Sequence, residues 1–167
     1  RSRSSNASIA EESDKFVVPD WLKPIIGYIK LLHGQADHKE GDHGNIVTKL
    51  FEGLGYTLIE EIRSQRGRID ILISVENRPL ITVEVKRDWN LSESNTDYVQ
   101  QAFNYSHQIG TRFVVVTNGD RFLVYDRTQG LRSDEMLLAK FELTKLDDGG
   151  LQSLESLKRS ELSNENI

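Results

Sequence analysis

The sequence predicts an α/β domain in which a mixed central β-sheet carries helices on both faces, in the order helix, strand, hairpin, helix, strand, strand. Three observations lead there. Two runs rich in β-branched residues, Ile69-Asp70-Ile71-Leu72-Ile73-Ser74-Val75 and Leu80-Ile81-Thr82-Val83-Glu84-Val85, flank a short polar segment with Asn77 and Pro79 and read as a β-hairpin. Apolar residues recur at helical spacing before it (Ile46, Val47, Leu50, Phe51, Leu54) and after it (Tyr98, Ala102, Tyr105, Ile109). A third apolar run, Phe113-Val114-Val115-Val116-Thr117, reaches Asn118-Gly119 and returns through Arg121-Phe122-Leu123-Val124-Tyr125-Asp126, a second hairpin with a type I′ turn signal.

At 167 residues the chain has room for one domain with a substantial core. Residues 1–15 are polar, Ser-rich and aperiodic, and read as a loose tail or an expression scar around Ser5-Asn6-Ala7. The domain is expected over residues 16–157, with residues 158–167 as a charged, frayed tail. Its first helix follows Pro19-Asp20, with Asp20 as N-cap and Pro24 in the first turn, where the missing donor does little harm. Trp21, Ile25, Tyr28, Ile29 and Leu32 share one face of that helix, which reads as packing without chemistry. His38 and His43 have a spacing that occurs in zinc sites, but no Cys adds further ligands, and a polar helix start is the preferred reading. A helix from about Asp42 ends at Gly53 and Gly55, and a strand is expected over residues 56–62.

In the hairpin, Ile69, Ile71, Ile73 and Val75 occupy alternate positions, as do Ile81, Val83 and Val85, which leaves Asp70, Leu72, Ser74, Leu80, Thr82, Glu84 and Lys86 for the other face. The two apolar stripes share a face when Ile71 lies opposite Val83, around a three-residue turn. That register sets Asp70 across from Glu84, with Lys86 two residues along the same face. Carboxylates directly opposite repel one another, so a divalent cation or Lys86 must offset the pair. Oxygen ligands from one or two carboxylates, completed by water, are what Mg2+ prefers. The plainer alternative is a solvated face of a half-exposed sheet. After a polar loop, Asn95 or Thr96 can cap a helix over residues 97–109, on which Gln101 and Tyr105 lie one turn apart. Residues 143–157 read as a connector and a short helix.

Composition removes several function classes. With no Cys there are no disulfides or thiolate metal sites, which fits a reducing interior. A net charge of -5 argues against a generally basic nucleic-acid coat, although Arg63, Arg66, Arg68, Lys86 and Arg87 gather around the hairpin. No apolar run approaches a membrane span, so no membrane is expected, and there is no Gly-x4-Gly-Lys-Ser/Thr loop for an ATP-driven motor and no Gly-x-Ser-x-Gly elbow.

An Asp on one strand followed by Glu-x-Lys on the next, here Asp70 and Glu84-Val85-Lys86, resembles the signature of the PD-(D/E)XK nuclease superfamily, without its proline. Leu54-Gly55-Tyr56, Gln101-Ala102-Phe103-Asn104-Tyr105 and Val114-Val115-Val116-Thr117-Asn118-Gly119 resemble the N-terminal nuclease domain of type I restriction enzyme R subunits and the RecB-like Gln-x-x-x-Tyr motif. The resemblance covers about residues 40–157 and implies a restriction-endonuclease-like αβββαββ core. It also implies a metal-dependent DNA endonuclease, a restriction or defence module without its own motor. Asp70, Glu84 and the Val85 main-chain carbonyl would hold Mg2+ (Mn2+ substituting), with Glu40 as the helical carboxylate and Glu52 as its competitor. Lys86 would orient or deprotonate the attacking water, and Gln101 and Tyr105 would support water and phosphate. The implied partners are DNA and a motor or specificity domain or subunit not in this chain; the oligomeric state stays open, a homodimer included, and the setting would be the cytoplasm, as for a prokaryotic or phage-type intracellular protein. The competing class is a DNA-binding or protein-interaction module on the same fold that has lost catalysis.

Overall fold

The structure is a computed structural model that describes residues 16–64 and 71–165. Two helices, α1 (Lys23–His33) and α2 (Glu40–Gly53), precede three strands, β1 (Ile62–Ser64), β2 (Ile71–Val75) and β3 (Arg78–Val85). Helix α3 (Thr96–Ile109) leads to β4 (Phe113–Thr117) and β5 (Arg121–Asp126). A single turn, α4 (Ser133–Met136), precedes β6 (Leu137–Glu142), and α5 (Asp148–Glu155) and α6 (Arg159–Glu165) follow. The strands form one six-stranded sheet in sequence order. Among the described strands only β3 and β4 run parallel, which their connection through α3 allows, and the remaining pairs are antiparallel. The α/β class and the mixed sheet are as expected.

Helices cover both faces of the sheet because the strands are apolar on both. Ile71, Ile73, Ile81, Val83, Val85, Val115 and Val124 join one core with Ile29 and Leu32 of α1, Leu50 and Phe51 of α2, Leu154 of α5 and Leu162 of α6. Val114, Val116, Leu123 and Tyr125 form a second core with Val99, Ala102 and Phe103 of α3. Alternation along β3 thus sends Ile81, Val83 and Val85 to one side and leaves Thr82 and Glu84 for the side of α3. A slip of one residue would invert this, and each large apolar side chain exposed would forfeit about 1.5–3 kcal/mol.

Ile71 pairs with Val83, the register that the apolar stripes predict. The turn differs from the expected three residues. Glu76 and Asn77 both have positive φ (52° and 62°), the two-residue type I′ geometry. A shift between Ile73 and Ser74 leaves Leu80 as the extra residue of a bulge, and the bulge absorbs the difference. The second hairpin reverses the expectation: Gly119 has positive φ (91°) but Asn118 does not, so its turn is not type I′. Instead Asn118 Oδ1 accepts from the main-chain N–H groups of Asp120 (2.9 Å) and Arg121 (2.7 Å). A Cβ on Gly119 would lie 3.3 Å from Ile46 Cγ2, so the loop seats directly on α2.

Other boundaries moved for identifiable reasons. Helix α1 begins at Lys23 rather than on an Asp20 cap; the Asp20 carboxylate accepts from Lys23 Nζ at 2.8 Å. The strand expected over residues 56–62 begins only at Ile62, because the chain turns through Ile59 at φ 73°. The segment after Lys158 is helix α6 rather than a frayed tail. Tyr56 donates from its hydroxyl to the Leu157 carbonyl (2.8 Å), Arg159 N–H donates to the Leu54 carbonyl (3.0 Å), and Arg159 Nε donates to the Glu61 carboxylate (2.9 Å). Residues 1–15 and 65–70, Asp70 and Arg66 and Arg68 among them, lie outside the described residues. No described helix is long and apolar enough to cross a membrane.

Candidate functional site

The end of β3 positions the chemistry. Glu84 pairs with Val116 of β4 in the sheet and is only 2 % exposed. Lys86 follows two residues later, where its main-chain N–H still donates to the Thr117 carbonyl (2.9 Å). That keeps both side chains on the α3 side, and Lys86 Nζ lies 2.9 Å from Glu84 Oε1. The same Nζ donates to Gln101 Oε1 at 2.9 Å and sits 5.1 Å from the centre of the Tyr98 ring. A strand thus supplies a carboxylate and an ammonium, and a helix supplies the amide that fixes the ammonium. Burying Glu84 beside this cation offsets the desolvation of its charge.

In front of Lys86 opens a cleft of about 570 Å³, lined by Asp37, His38, Glu40, Arg87, Asp88 and Tyr98 among others. Glu40 is the first residue of α2, so the same helix that packs Ile46, Val47 and Leu50 into the core sets its carboxylate in the cleft wall. The start of α2 is fixed by the Lys39 main-chain N–H donating to Asp42 Oδ2 at 2.8 Å. Tyr98 donates to Asp88 Oδ2 (3.3 Å), which ties α3 to the loop after β3.

Four of the residues singled out from the sequence are therefore brought together: Glu84, Lys86 and Gln101 through direct contacts, and Glu40 through the cleft it shares with Lys86. Tyr105 lies one turn beyond Gln101 on α3 and is half-buried. Val85 completes the strand between Glu84 and Lys86. Glu52 is exposed at the opposite end of α2, away from the cleft that Glu40 lines. Among the described residues no three metal-ligating side chains cluster, and Asp70 lies outside them. Sequence reasoning missed the aromatic wall beside the cleft. His33 stacks on Trp89 at 3.6 Å between ring centres, and His43 packs against the same ring at 4.5 Å. The spacing of His38 and His43 carried the signal, and the two rings are hydrogen-bonded to one another.

Fold and site thus define an α/β protein with a mixed sheet whose third strand ends in a buried Glu–Lys pair facing a helix. The family described as Type I restriction enzyme R protein N terminus (HSDR_N) matches residues 52–138, more than half of the chain, and the chain belongs to that family. The matched stretch holds Asp70, Glu84, Lys86, Gln101 and Tyr105, whereas His38 and Glu40 precede it. No curated protein and no solved structure matches the chain. Membership associates the chain with restriction-modification.

Proposed function

We propose that this chain is a divalent-metal-dependent DNA endonuclease module of the PD-(D/E)XK type, acting with a motor or specificity domain or subunit. The observation that carries the reading is the bonded set Glu84–Lys86–Gln101, which joins the Glu-x-Lys and Gln-x-x-x-Tyr motifs in one place. Glu84 and Glu40 offer hard carboxylate oxygens suited to Mg2+ or Mn2+, and Asp70 and the Val85 carbonyl would complete the protein's share. When bound, the metal neutralises charge on the scissile phosphate and makes water acidic enough to attack near neutral pH.

The chain's own residues do the rest. Lys86 holds the attacking water and stabilises charge as it develops on the phosphate; Gln101 fixes the Nζ, so that the ammonium is already aimed. Tyr105, one turn on, supports the phosphate from the same helix. Arg63 and Arg87, both exposed, meet the DNA backbone, which positions a duplex without reading its sequence. Binding is accordingly weak, unspecific and strongly reduced by salt.

The test is plasmid cleavage by wild type and Lys86→Ala, with Mg2+ or with EDTA, followed by sequencing of the cut ends. Expected are Mg2+-dependent, scattered cuts that vanish in EDTA and in the folded variant. Undiminished cutting in EDTA, or by Lys86→Ala, overturns the mechanism. Salt-sensitive DNA binding without cleavage under any metal would favour the catalytically silent alternative.

A further inference from the structure

Trp89 lies at the centre of the ring cluster beside the cleft, and one ring of that cluster is left open to solvent. Trp89 packs on the main core, with His43 against it at 4.5 Å between ring centres and His38, which lines the cleft, at 5.4 Å. His33, the last residue of α1, stacks on it at 3.6 Å with 23° between the ring planes. His33 Nε2 also lies 2.9 Å from Asp120 Oδ2. Asp120 is buried and accepts from the main-chain N–H (2.9 Å) and the hydroxyl (2.8 Å) of Thr144. A stack on one face and a bond at one edge fix the His33 ring, yet 38 % of its side chain is open, on the side away from Trp89. An aliphatic side chain would cover Trp89 as well and would need no anchor.

The ground between that open ring and the cleft is low. A Cβ on Gly34, the next residue, would meet only the Leu31 carbonyl, and the chain then runs through exposed Ala36 and Asp37 into the cleft wall. Cations stand on both approaches. Lys30 is exposed one turn before His33 on α1, and Arg87, exposed two residues before Trp89, lines the cleft. The carboxylates of Asp37, Glu40 and Asp88 belong to the cleft wall itself. An aromatic ring with a free face among cations is how proteins hold single-stranded nucleic acid: the ring stacks on a base and the cations meet phosphates. A base inside a duplex is already stacked on both faces and must leave the stack to be reached. Because the ring is fixed beforehand, little ordering cost is charged against the contact.

We propose that the open face of His33, backed by Trp89 and anchored by Asp120, is a stacking platform for one unpaired base of a DNA strand entering the cleft, with Lys30 and Arg87 on neighbouring phosphates. The DNA that suits the cleft is then a single strand or a frayed end, in preference to an intact duplex. The platform rests on the DNA-binding part of the nuclease reading and on neither its metal nor its hydrolysis.

Binding is measured in EDTA, which withholds the metal, by fluorescence anisotropy of labelled strands of about ten nucleotides at low salt. Wild type should bind a mixed-sequence strand at least about fivefold more tightly than a strand of the same length built from abasic units, which has the same charge and no bases. An aminopurine base in the strand, whose emission stacking quenches, should dim on binding. His33→Phe and His33→Leu then both lose the bond to Asp120 and both cover Trp89, but only the former keeps a stacking face. With matched unfolding temperatures, His33→Phe should hold most of the preference for bases and His33→Leu should lose it, the loss on a blunt duplex being smaller. Equal affinity of wild type for the two strands, no binding to either, or equal behaviour of the two variants overturns the platform. If wild type cuts no DNA with Mg2+ yet prefers bases through His33, the nuclease reading falls and the platform stands. If it cuts DNA without that preference, the platform alone falls.

Discussion

Replacing Lys86 by Met removes the ammonium and keeps the stem, and the buried Glu84 carboxylate beside it should react strongly. At 2.9 Å the pair attracts by about 6 kcal/mol before desolvation, with an effective dielectric constant of about 20. Removing one partner of a buried pair costs about 3–5 kcal/mol, because the other charge stays behind uncompensated. Lys86 is 16 % exposed along its side chain, so water reaches part of the pair and the lower end, about 3 kcal/mol, is expected. Urea unfolding in EDTA, followed by circular dichroism, measures the loss. The double variant Glu84→Gln with Lys86→Met closes the cycle and should be more stable than Lys86→Met alone. Mg2+ adds a second readout: Nζ and a cation compete for the same carboxylate, so Mg2+ should stabilise the Met variant more than wild type. A Met variant within about 0.5 kcal/mol of wild type would refute the view that Lys86 compensates Glu84.

Further outcomes follow from other contacts. Gln101→Ala removes one of the two partners that hold Lys86 Nζ and should slow cleavage by at least about tenfold, or about 1.4 kcal/mol, while Gln100→Ala, at a residue whose amide donates to Asn104, should not. Burial alone would raise the Asp126 carboxyl, but the Arg112 guanidinium and the Thr128 donors outweigh it and hold it at about 2. A carboxyl depressed on folding contributes its stability above pH 3.8, its ordinary value, and loses it as pH falls toward 2. That contribution is about 2 kcal/mol, and acid titration of Asp126→Asn by circular dichroism should lack this limb. Gly53→Ala would drive a Cβ to 2.5 Å from the Trp21 ring, so a loss of about 1–3 kcal/mol in thermal unfolding is expected despite better helix propensity.

The parts of this molecule that sequence made legible are those where a local period coincides with burial. The stripes of β2 and β3 dictated their register down to Ile71 opposite Val83; Glu84 and Lys86 were singled out by type and spacing, and Gln101 through its resemblance to a family motif. What escaped was decided by distant contacts. β6 is a half-exposed edge strand, so its alternation is faint, and it stacks Phe141 on its cross-strand neighbour Phe122 of β5. The residues of α6 look like a solvated tail until Leu162 meets the core. Asn118-Gly119 carries a hairpin signal, yet the Asn118 side chain supplies the turn's bonds itself. The histidine wall needs α1, α2 and the loop after β3 to meet, which no single stretch announces.

The clasp between the two ends of the domain bears on how the chain is made. Tyr56 and Leu54 find their partners at Leu157 and Arg159, about a hundred residues later. Contacts that close so long a loop slow folding, since the entropy of closure comes before the contact rewards it. On the ribosome, at about 5–20 residues per second, the turn after α2 waits several seconds with the Tyr56 hydroxyl and the Leu54 carbonyl open to water. The cooperative unit is therefore completed only when synthesis passes Arg159, and a chain stalled earlier lacks Leu154 and Leu162 from its core, with the face of β6 that α5 covers open to whatever chaperone or protease arrives first.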